Sequence, residues 1–256
     1  MTPVHATRKL PVPRILAEAV ALPWERRAAF SKALALPAIA IVGTQVGWYL
    51  ANEQLSDPMK WAAWGANKIL WVLFAVICHR LVLLGLRPID VARLPGWGLR
   101  ETLFLGWLLL LWLIIMPIVY GFLMVFGTIV GQFSTALFDA SYLYVGLVIG
   151  SYFFARLSLV FPATAIDVRT NPLKVWRLTR GNGWRLVVVI GVFPWAFSQI
   201  VALISGDEPG VAKAVLVTAL TTAFLAVEIS ALSLSYRELA KDSDAGGDPA
   251  PGSASA

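Results

Sequence analysis

The chain contains little charge, one cysteine and two histidines, and each shortage excludes a class of protein. Only 14% of its 256 residues are charged, whereas 58% are hydrophobic. A soluble domain has about a quarter charged residues, so this composition is typical of a membrane protein. A single Cys78 excludes a disulfide framework within one chain, and the isolated His5 and His79 form no metal-binding pattern. We therefore expect neither a metal nor another cofactor.

Six apolar windows are long enough to cross a bilayer, which requires about 20 residues. They cover residues 33–51, 66–86, 101–126, 141–162, 184–205 and 211–236. The sequence therefore predicts an all-α bundle of six transmembrane helices within residues 33–238. The stretch GTIVGQFSTALFDA, residues 127–140, can be read as a loop, a re-entrant segment or a helix extension.

The distribution of basic residues predicts the orientation. Sixteen of the 21 Lys and Arg residues lie at or beyond the window ends on one side, three do so on the other side, and two lie deeper inside the windows. Because cytoplasmic loops carry the excess of Lys and Arg, we expect both termini in the cytoplasm. The net charge of +6 is thus a topology signal. It is divided among loops beside the spans, and we expect no nucleic-acid partner.

The two ends of the chain differ in character. Residues 1–32 form a lead-in, whose stretch RILAEAVALPWERRAAFSK (14–32) can be read in two ways. It is either a cytoplasmic helix or pair of short helices lying on the membrane surface, with Trp24 in the interface, or a poorly ordered segment. Residues 239–256 are expected to form a disordered cytoplasmic tail, because the run KDSDAGGDPAPGSASA, which begins at Lys241, lacks large apolar side chains.

Two kinds of internal pattern bear on the architecture. HRLVL (79–83), ARLSL (155–159) and SALSL (230–234) can be aligned, which indicates either three hairpin repeats or a chance match of leucine-rich spans. GTQVG (43–47), GTIVG (127–131) and GLVIG (146–150) have the spacing of small residues that lets helices approach closely. These glycine pairs therefore predict tight helix packing inside the bundle.

Three ionisable residues besides His79 lie inside the apolar windows and away from the window ends: Arg80, Arg156 and Glu228. Each costs about 2.5–3.5 kcal/mol at a helix centre, but all three lie in the cytoplasmic half, where arginines can extend to the headgroups. Glu228 is shorter, and we expect it to pair with Arg156 or, alternatively, with Arg80. The cluster is then either a structural ion pair or part of a polar cavity that binds an anionic group such as a lipid phosphate.

The fourth loop, TNPLKVWRLTRGNGWRL (170–186), predicts a short helix on the inner membrane surface. Asn171 can cap this helix, Pro172 suits its first turn and Gly181 suits its end. Headgroup contacts are predicted for five of its side chains: Lys174, Arg177, Arg180, Trp184 and Arg185. These residues either anchor the loop at the interface or capture a particular headgroup.

ARLSLVFPATAID (155–167) and WRLTRGNGWRL (176–186) resemble a group of bacterial six-helix membrane proteins. That group is related to the membrane domain of some glycerophosphoryl diester phosphodiesterases. The resemblance implies a bacterial inner-membrane location and a bundle without catalytic residues. In those enzymes the chemistry belongs to a separate barrel of about 250 residues, for which six spans leave no room in this chain.

The sequence shows no nucleophile–base pair, carboxylate pair or metal set, so we do not expect an enzyme. The first hypothesis is a non-enzymatic inner-membrane protein that supports envelope processes. It would act through membrane lipids, anionic headgroups among them, or through a membrane-protein partner. The alternative is a transporter or flippase-like protein for a small anionic or amphipathic solute, which predicts a polar cavity containing Arg156 or Glu228. A membrane-embedded lipid enzyme is the third hypothesis.

Overall fold

The computed structural model of the chain describes residues 9–51, 54–85, 97–133, 135–205 and 210–245, with all their side chains except those of 131–143 and 242–245. The regular structure throughout this part of the chain is helical. The helices are α1 (Val12–Glu25), α2 (Arg27–Ala51), α3 (Asp57–Leu84), α4 (Leu99–Phe133), α5 (Thr135–Leu157), α6 (Val160–Ala165), α7 (Pro172–Leu178), α8 (Gly183–Val187), α9 (Phe193–Ser205) and α10 (Val211–Ala245). A π-helical turn, Val188–Val192, joins α8 to α9.

Six helical segments are long and apolar enough to cross a membrane, as the sequence predicts. They are Arg27–Ala51, Asp57–Leu84, Leu99–Val130, Tyr144–Ala165, Gly183–Ser205 and Val211–Lys241. The chain is therefore a multi-pass membrane protein with an all-α bundle of six spans. Residues 127–140 continue α4 and α5 as helix on either side of position 134, which lies outside the described residues. Of the three readings of this stretch, the described part matches the helix extension.

The last helix, α10, packs against α1, α2 and α3, and small residues allow this close packing. Ser230, Ser233 and Ser235 are fully buried, and each hydroxyl donates to the carbonyl four residues earlier at 2.7–2.8 Å. Because the serine hydroxyls are satisfied within their own helix, they need no partner across the interface. Ser233 Oγ nevertheless lies 2.8 Å from His79 Nδ1 on α3, so the histidine of the second span has a structural partner.

The hairpin of α4 and α5 uses one of the predicted glycine pairs. A Cβ added at Gly146 would lie 3.2 Å from Leu123 Cδ1, and one at Gly150 would lie 3.4 Å from Val119 Cγ2. The GLVIG motif therefore packs α5 closely against α4, as predicted. The GTQVG motif behaves differently, because added Cβ atoms at Gly43 and Gly47 would have no heavy atom within 4 Å. The predicted packing role is wrong for this second motif.

Helix α1 differs from both readings of the lead-in, since it is ordered but does not lie free on a membrane surface. Ile15, Ala19 and Leu22 are buried in the core, and α1 packs along α10. Arg237 on α10 donates to Glu18 on α1 at 2.6 Å. Trp24 remains 73% exposed, which suits an aromatic residue at the interface. Residues 1–8 of the lead-in lie outside the described residues.

Two irregularities of the spans lie next to prolines. Helix α5 ends at Leu157, and Phe161 donates to Ser158 in a tighter turn before α6 continues the span. Pro162 cannot donate to Ser158, so the proline interrupts the helix one turn before its own position. The π-helical turn likewise ends just before Pro194, which also lacks an N–H.

The predicted tail begins as helix rather than as coil. α10 continues to Ala245, because Leu239 is buried in the core and Arg237 bonds to α1. Disorder from residue 239 onwards is therefore wrong for 239–245. The rest of the predicted tail, residues 246–256, lies outside the described residues.

Candidate functional site

The start of α1, the carboxyl end of α10, the start of α4 and residues 165–185 lie at one end of the bundle, which we call the basic end. Arg156, at the last turn of α5, is only 8% exposed. Its Nε donates to Thr179 Oγ1 at 3.0 Å, and its Nη2 donates to the carbonyl oxygen of Trp176 at 2.6 Å. The guanidinium carbon lies 3.5 Å from the centroid of the Trp176 ring, a cation–π geometry. Arg156 therefore binds the fourth loop instead of extending to headgroups.

The residues that begin and end the helix of the fourth loop have the roles that the sequence predicts. Asn171 Oδ1 accepts a hydrogen bond from the Lys174 amide at 2.9 Å, Pro172 begins α7, and Gly181 adopts a φ of +76° after the helix. Gly183 is required for a different reason. A Cβ there would lie 2.9 Å from Tyr152 Cε2 and 3.2 Å from Arg156 Cδ, so only glycine lets the loop approach α5 this closely.

Asn182, between these two glycines, connects the loop to the start of the chain. Its Oδ1 accepts a buried hydrogen bond of 2.8 Å from the Leu10 amide, and the residue is 2% exposed. Arg156 on one side and Leu10 on the other therefore fix the fourth loop to the bundle. The sequence offers no signal for the Asn182–Leu10 bond, because 172 positions separate the two residues.

A second polar node joins three elements through Asp167. Arg80 of α3 donates to Asp167 Oδ2 at 3.1 Å and to the Ala165 carbonyl at 2.8 Å. Arg100 of α4 donates to both carboxylate oxygens, at 2.8 and 2.9 Å. The hydrogen bond from Arg100 and its positive charge lower the pKa of the Asp167 carboxyl below its ordinary value, with Arg80 adding to the effect.

Asp167 is held in an uncommon backbone conformation, with a φ of +63°. Aspartate tolerates this left-handed region better than most residues. The role of Asp167 as the partner of Arg80 and Arg100 was not predicted from the sequence. The only sequence signal for this role was a carboxylate that closely follows Pro162, in a chain with arginines in the neighbouring spans.

Glu228 on α10 does not pair with Arg156 or with Arg80. The carboxylate is half-buried, and the structure gives it no hydrogen bond or ion pair within the described part of the chain. Arg156 bonds Thr179 and Trp176 instead, and Arg80 bonds Asp167. The predicted ion pair is therefore wrong: both arginines bond to residues 165–179, at or after the end of the fourth span.

The five predicted headgroup contacts lie together on the basic end. Lys174, Arg177 and Arg180 are exposed, and their side chains form no hydrogen bond or ion pair with the residues that the structure describes. Trp184 is 62% exposed and its ring centroid lies 5.0 Å from that of Tyr152. Arg185 is half-buried, with Nη1 3.4 Å from Asn182 Oδ1. We call Lys174, Arg177, Arg180 and Trp184 the α7 surface.

Three cavities complete the description. An apolar groove of about 680 Å³ runs between α2 and α10. A cavity of about 740 Å³ at the basic end is lined by Arg100, Asp167 and Arg169 among others. A smaller one of about 210 Å³, near Asn67 and Lys68, lies at the opposite end. These three cavities are not lined by Arg156 or Glu228.

Comparison with models of known protein families, with curated proteins and with solved structures finds no match to this chain.

Proposed function

We propose that this chain is a non-enzymatic protein of the bacterial inner membrane. Its basic end faces the cytoplasm and binds anionic lipid headgroups through the α7 surface. One observation carries the proposal: Arg156 is satisfied by the fourth loop itself, whereas Lys174, Arg177 and Arg180 are exposed without a side-chain partner in the described part of the chain. Arg156 thus holds in place the loop that presents Lys174, Arg177 and Arg180 at the surface.

The rigidity of the loop makes it suited to this role. A flexible basic segment loses conformational entropy when it binds a surface, but α7 is fixed by Arg156, Gly183 and Asn182. Each Lys or Arg near an anionic leaflet contributes about 1 kcal/mol of attraction. Trp184 adds an aromatic ring of the kind that is enriched at the membrane interface. Supporting envelope processes through lipids or a membrane-protein partner is the corresponding physiological role.

The transport hypothesis has less support. It requires a polar cavity around Arg156 or Glu228, and the three cavities described above avoid both residues. The guanidinium of Arg156 donates hydrogen bonds to Thr179, Trp176 and Tyr152, so its Nε and Nη2 are not free for a solute. The predicted relationship to the membrane domain of glycerophosphoryl diester phosphodiesterases agrees with a non-catalytic role.

The lipids that accompany the purified protein test this proposal. The full chain is reconstituted into nanodiscs of equal phosphatidylglycerol and phosphatidylcholine, extracted gently, and its bound lipids are counted by native mass spectrometry. The test variant carries Lys174→Gln, Arg177→Gln and Arg180→Gln. The control carries Lys60→Gln, Lys68→Gln and Lys213→Gln, which removes three positive charges from the opposite side of the spans.

The wild type and the control should retain phosphatidylglycerol in preference to phosphatidylcholine, and the test variant should lose the part of that preference that its three cations supply. An unchanged preference in the test variant would contradict the proposal. Equal losses in the test and control variants would also contradict it, because they would indicate a dependence on net charge alone.

A further inference from the structure

A groove between α2 and α10 opens along the membrane-spanning part of the bundle. It has a volume of about 680 Å³. Its floor includes the buried Phe74 of α3, and its walls combine short side chains with larger apolar ones such as Leu34, Ile39 and Val46. Those walls include Ala35, Ala38 and Gly43 on α2 and Ala219, Ala223 and Ala226 on α10. We call this feature the α2–α10 groove.

The groove is apolar along its length. Its two hydroxyl-bearing residues, Ser31 and Thr222, are directed to carbonyls of their own helices, those of Ala28 at 3.4 Å and Thr218 at 2.7 Å. Phe30 and Val46, the extreme α2 residues of the lining, are separated by about 24 Å along the helix axis. This length exceeds one leaflet, which is about half of a hydrocarbon core of roughly 30 Å. An apolar chain rather than a polar solute fits such a groove.

The glycine of the groove is free of internal packing. A Cβ at Gly43 would have no heavy atom within 4 Å, unlike one at Gly146, which would touch Leu123. The GTQVG motif is therefore open on the side of the groove. A single acyl chain is thinner than a helix and can lie between the two rows of alanines.

The basic-end mouth of the groove is positively charged. Arg27, Ser31, Ala35 and Val42 follow one another on a single face of α2, at spacings of four, four and seven residues. Arg27 lies 5.6 Å from the centroid of the Trp24 ring at the first residue of α2, where the helix dipole favours an anion. Arg26 and Lys32 are also exposed there, against one exposed carboxylate, Glu25.

We propose that the α2–α10 groove binds one acyl chain of an anionic phospholipid whose phosphate is held at Arg27. One face of α2 would contact both the phosphate, at Arg27, and the acyl chain, because the apolar lining of the groove begins one turn after Arg27. This site lies on helices other than α7. It adds a bound lipid to the headgroup surface proposed above, and it can be tested independently of that surface.

Filling the groove is the direct test. Gly43→Leu places a side chain in the groove, whereas Gly47→Leu, one turn further on, changes the same residue type at a position outside the groove lining. Both positions are sterically open, so both variants should fold. Purified protein is titrated with phosphatidylglycerol in detergent and followed by native mass spectrometry. Gly43→Leu should reduce the tightest-bound lipid at least about tenfold in affinity, a difference well within that of one buried apolar side chain, and Gly47→Leu should not.

The charge at the mouth has its own matched pair. Arg27→Gln should weaken phosphatidylglycerol binding about fivefold relative to phosphatidylcholine, the effect of one cation near an anionic group. Lys32→Gln, which removes an exposed cation on another face of α2, should change this ratio little. Unchanged lipid affinity in Gly43→Leu would overturn the proposal. So would loss of an oligomer in both glycine variants with unchanged lipid, which would make GTQVG a contact between two copies of the chain.

Discussion

Individual side chains at the basic end act as connectors between helices. Arg80 and Arg100 reach Asp167 from α3 and α4, and Arg156 reaches Thr179 and the Trp176 carbonyl from α5. Each arginine lies near the end of a span, and these hydrogen-bond partners lie in residues 165–179, at or after the end of the fourth span. Cations in a membrane protein are thereby satisfied by protein groups, which reduces the penalty of their depth.

The Asp167 node predicts a pH-dependent stability. The carboxylate has a lowered pKa because Arg100 and then Arg80 bond to it, so its contribution is present above the unfolded-state pKa of about 3.9. It is lost as the pH falls through the lower pKa of the folded state. At pH 7, Asp167→Asn should lower the Tm of the detergent-solubilised protein by no more than about 4 °C, because a largely exposed carboxylate is screened by solvent.

The Tm difference between the wild type and Asp167→Asn should shrink steadily once the pH falls below about 4. Asparagine tolerates the positive φ, so the substitution removes the charge with little added strain. Asp57→Asn, at the start of α3, serves as the control for loss of an acidic group outside this node. A difference that stays constant from pH 7 to pH 3 would show that the ionised Asp167 does not stabilise the fold.

The fourth loop is the element that organises the basic end. Its helix α7 was predictable because Asn171, Pro172 and Gly181 are local signals that act over a few residues. The partners of Arg156 were not predictable, because Thr179 Oγ1 and the Trp176 carbonyl become neighbours only after the loop folds back onto α5. A carboxylate in another span, Glu228, was the chemically obvious partner, but hydrogen bonds to neutral groups satisfy the guanidinium equally well.

The same contrast holds for the other elements. Apolar length predicted all six spans, because bilayer thickness imposes it on each helix separately. The docking of α1 along α10 was not predicted, since an amphipathic helix has the same sequence pattern whether its apolar face contacts lipid or protein. The Glu18–Arg237 bond and the buried Ile15 and Ala19 decide this case for protein. Glycine spacing likewise predicted close packing for GLVIG but could not show that GTQVG borders an open groove.

Because Arg156 of α5 does not pair with Glu228 of α10, substitutions at the two positions should affect stability independently. Arg156→Gln should lower the free energy of unfolding by about 2–3 kcal/mol, because it removes charged hydrogen bonds from a buried site. Glu228→Gln should change it by less than about 0.5 kcal/mol, as expected of a residue without a partner. Because no bond joins the two residues, the double variant should equal the sum within about 0.5 kcal/mol.

Unfolding of the four proteins of this cycle in mild detergent, followed by tryptophan fluorescence or circular dichroism, measures these values. A double variant that is markedly more stable than the sum of the single losses would reveal an ion pair between Arg156 and Glu228. Arg156→Lys is a useful companion. It keeps the charge but loses the planar fork that contacts Thr179 and Trp176 together, and it should not restore the wild-type stability.

At the scale of the whole molecule, polar and apolar features are segregated along the bundle axis. Spans α2, α3 and α10 pack together through small residues and bury an apolar core. The internal arginines and the exposed cations of the α7 surface lie at the basic end. This arrangement makes the bundle a fixed support that presents positive charge at one membrane surface, and it leaves an apolar groove accessible from the side.

The stability of the protein in bilayers of increasing negative charge tests this account most directly. Tm is measured in nanodiscs as phosphatidylglycerol replaces phosphatidylcholine, for the wild type and for the variant with Gln at positions 174, 177 and 180. The wild type should gain up to roughly 10 °C, from about 1 kcal/mol for each of three cations. The variant should match the wild type in phosphatidylcholine alone and lose most of this gain. The same rise in both proteins would contradict the account, and so would a lower Tm of the variant in phosphatidylcholine.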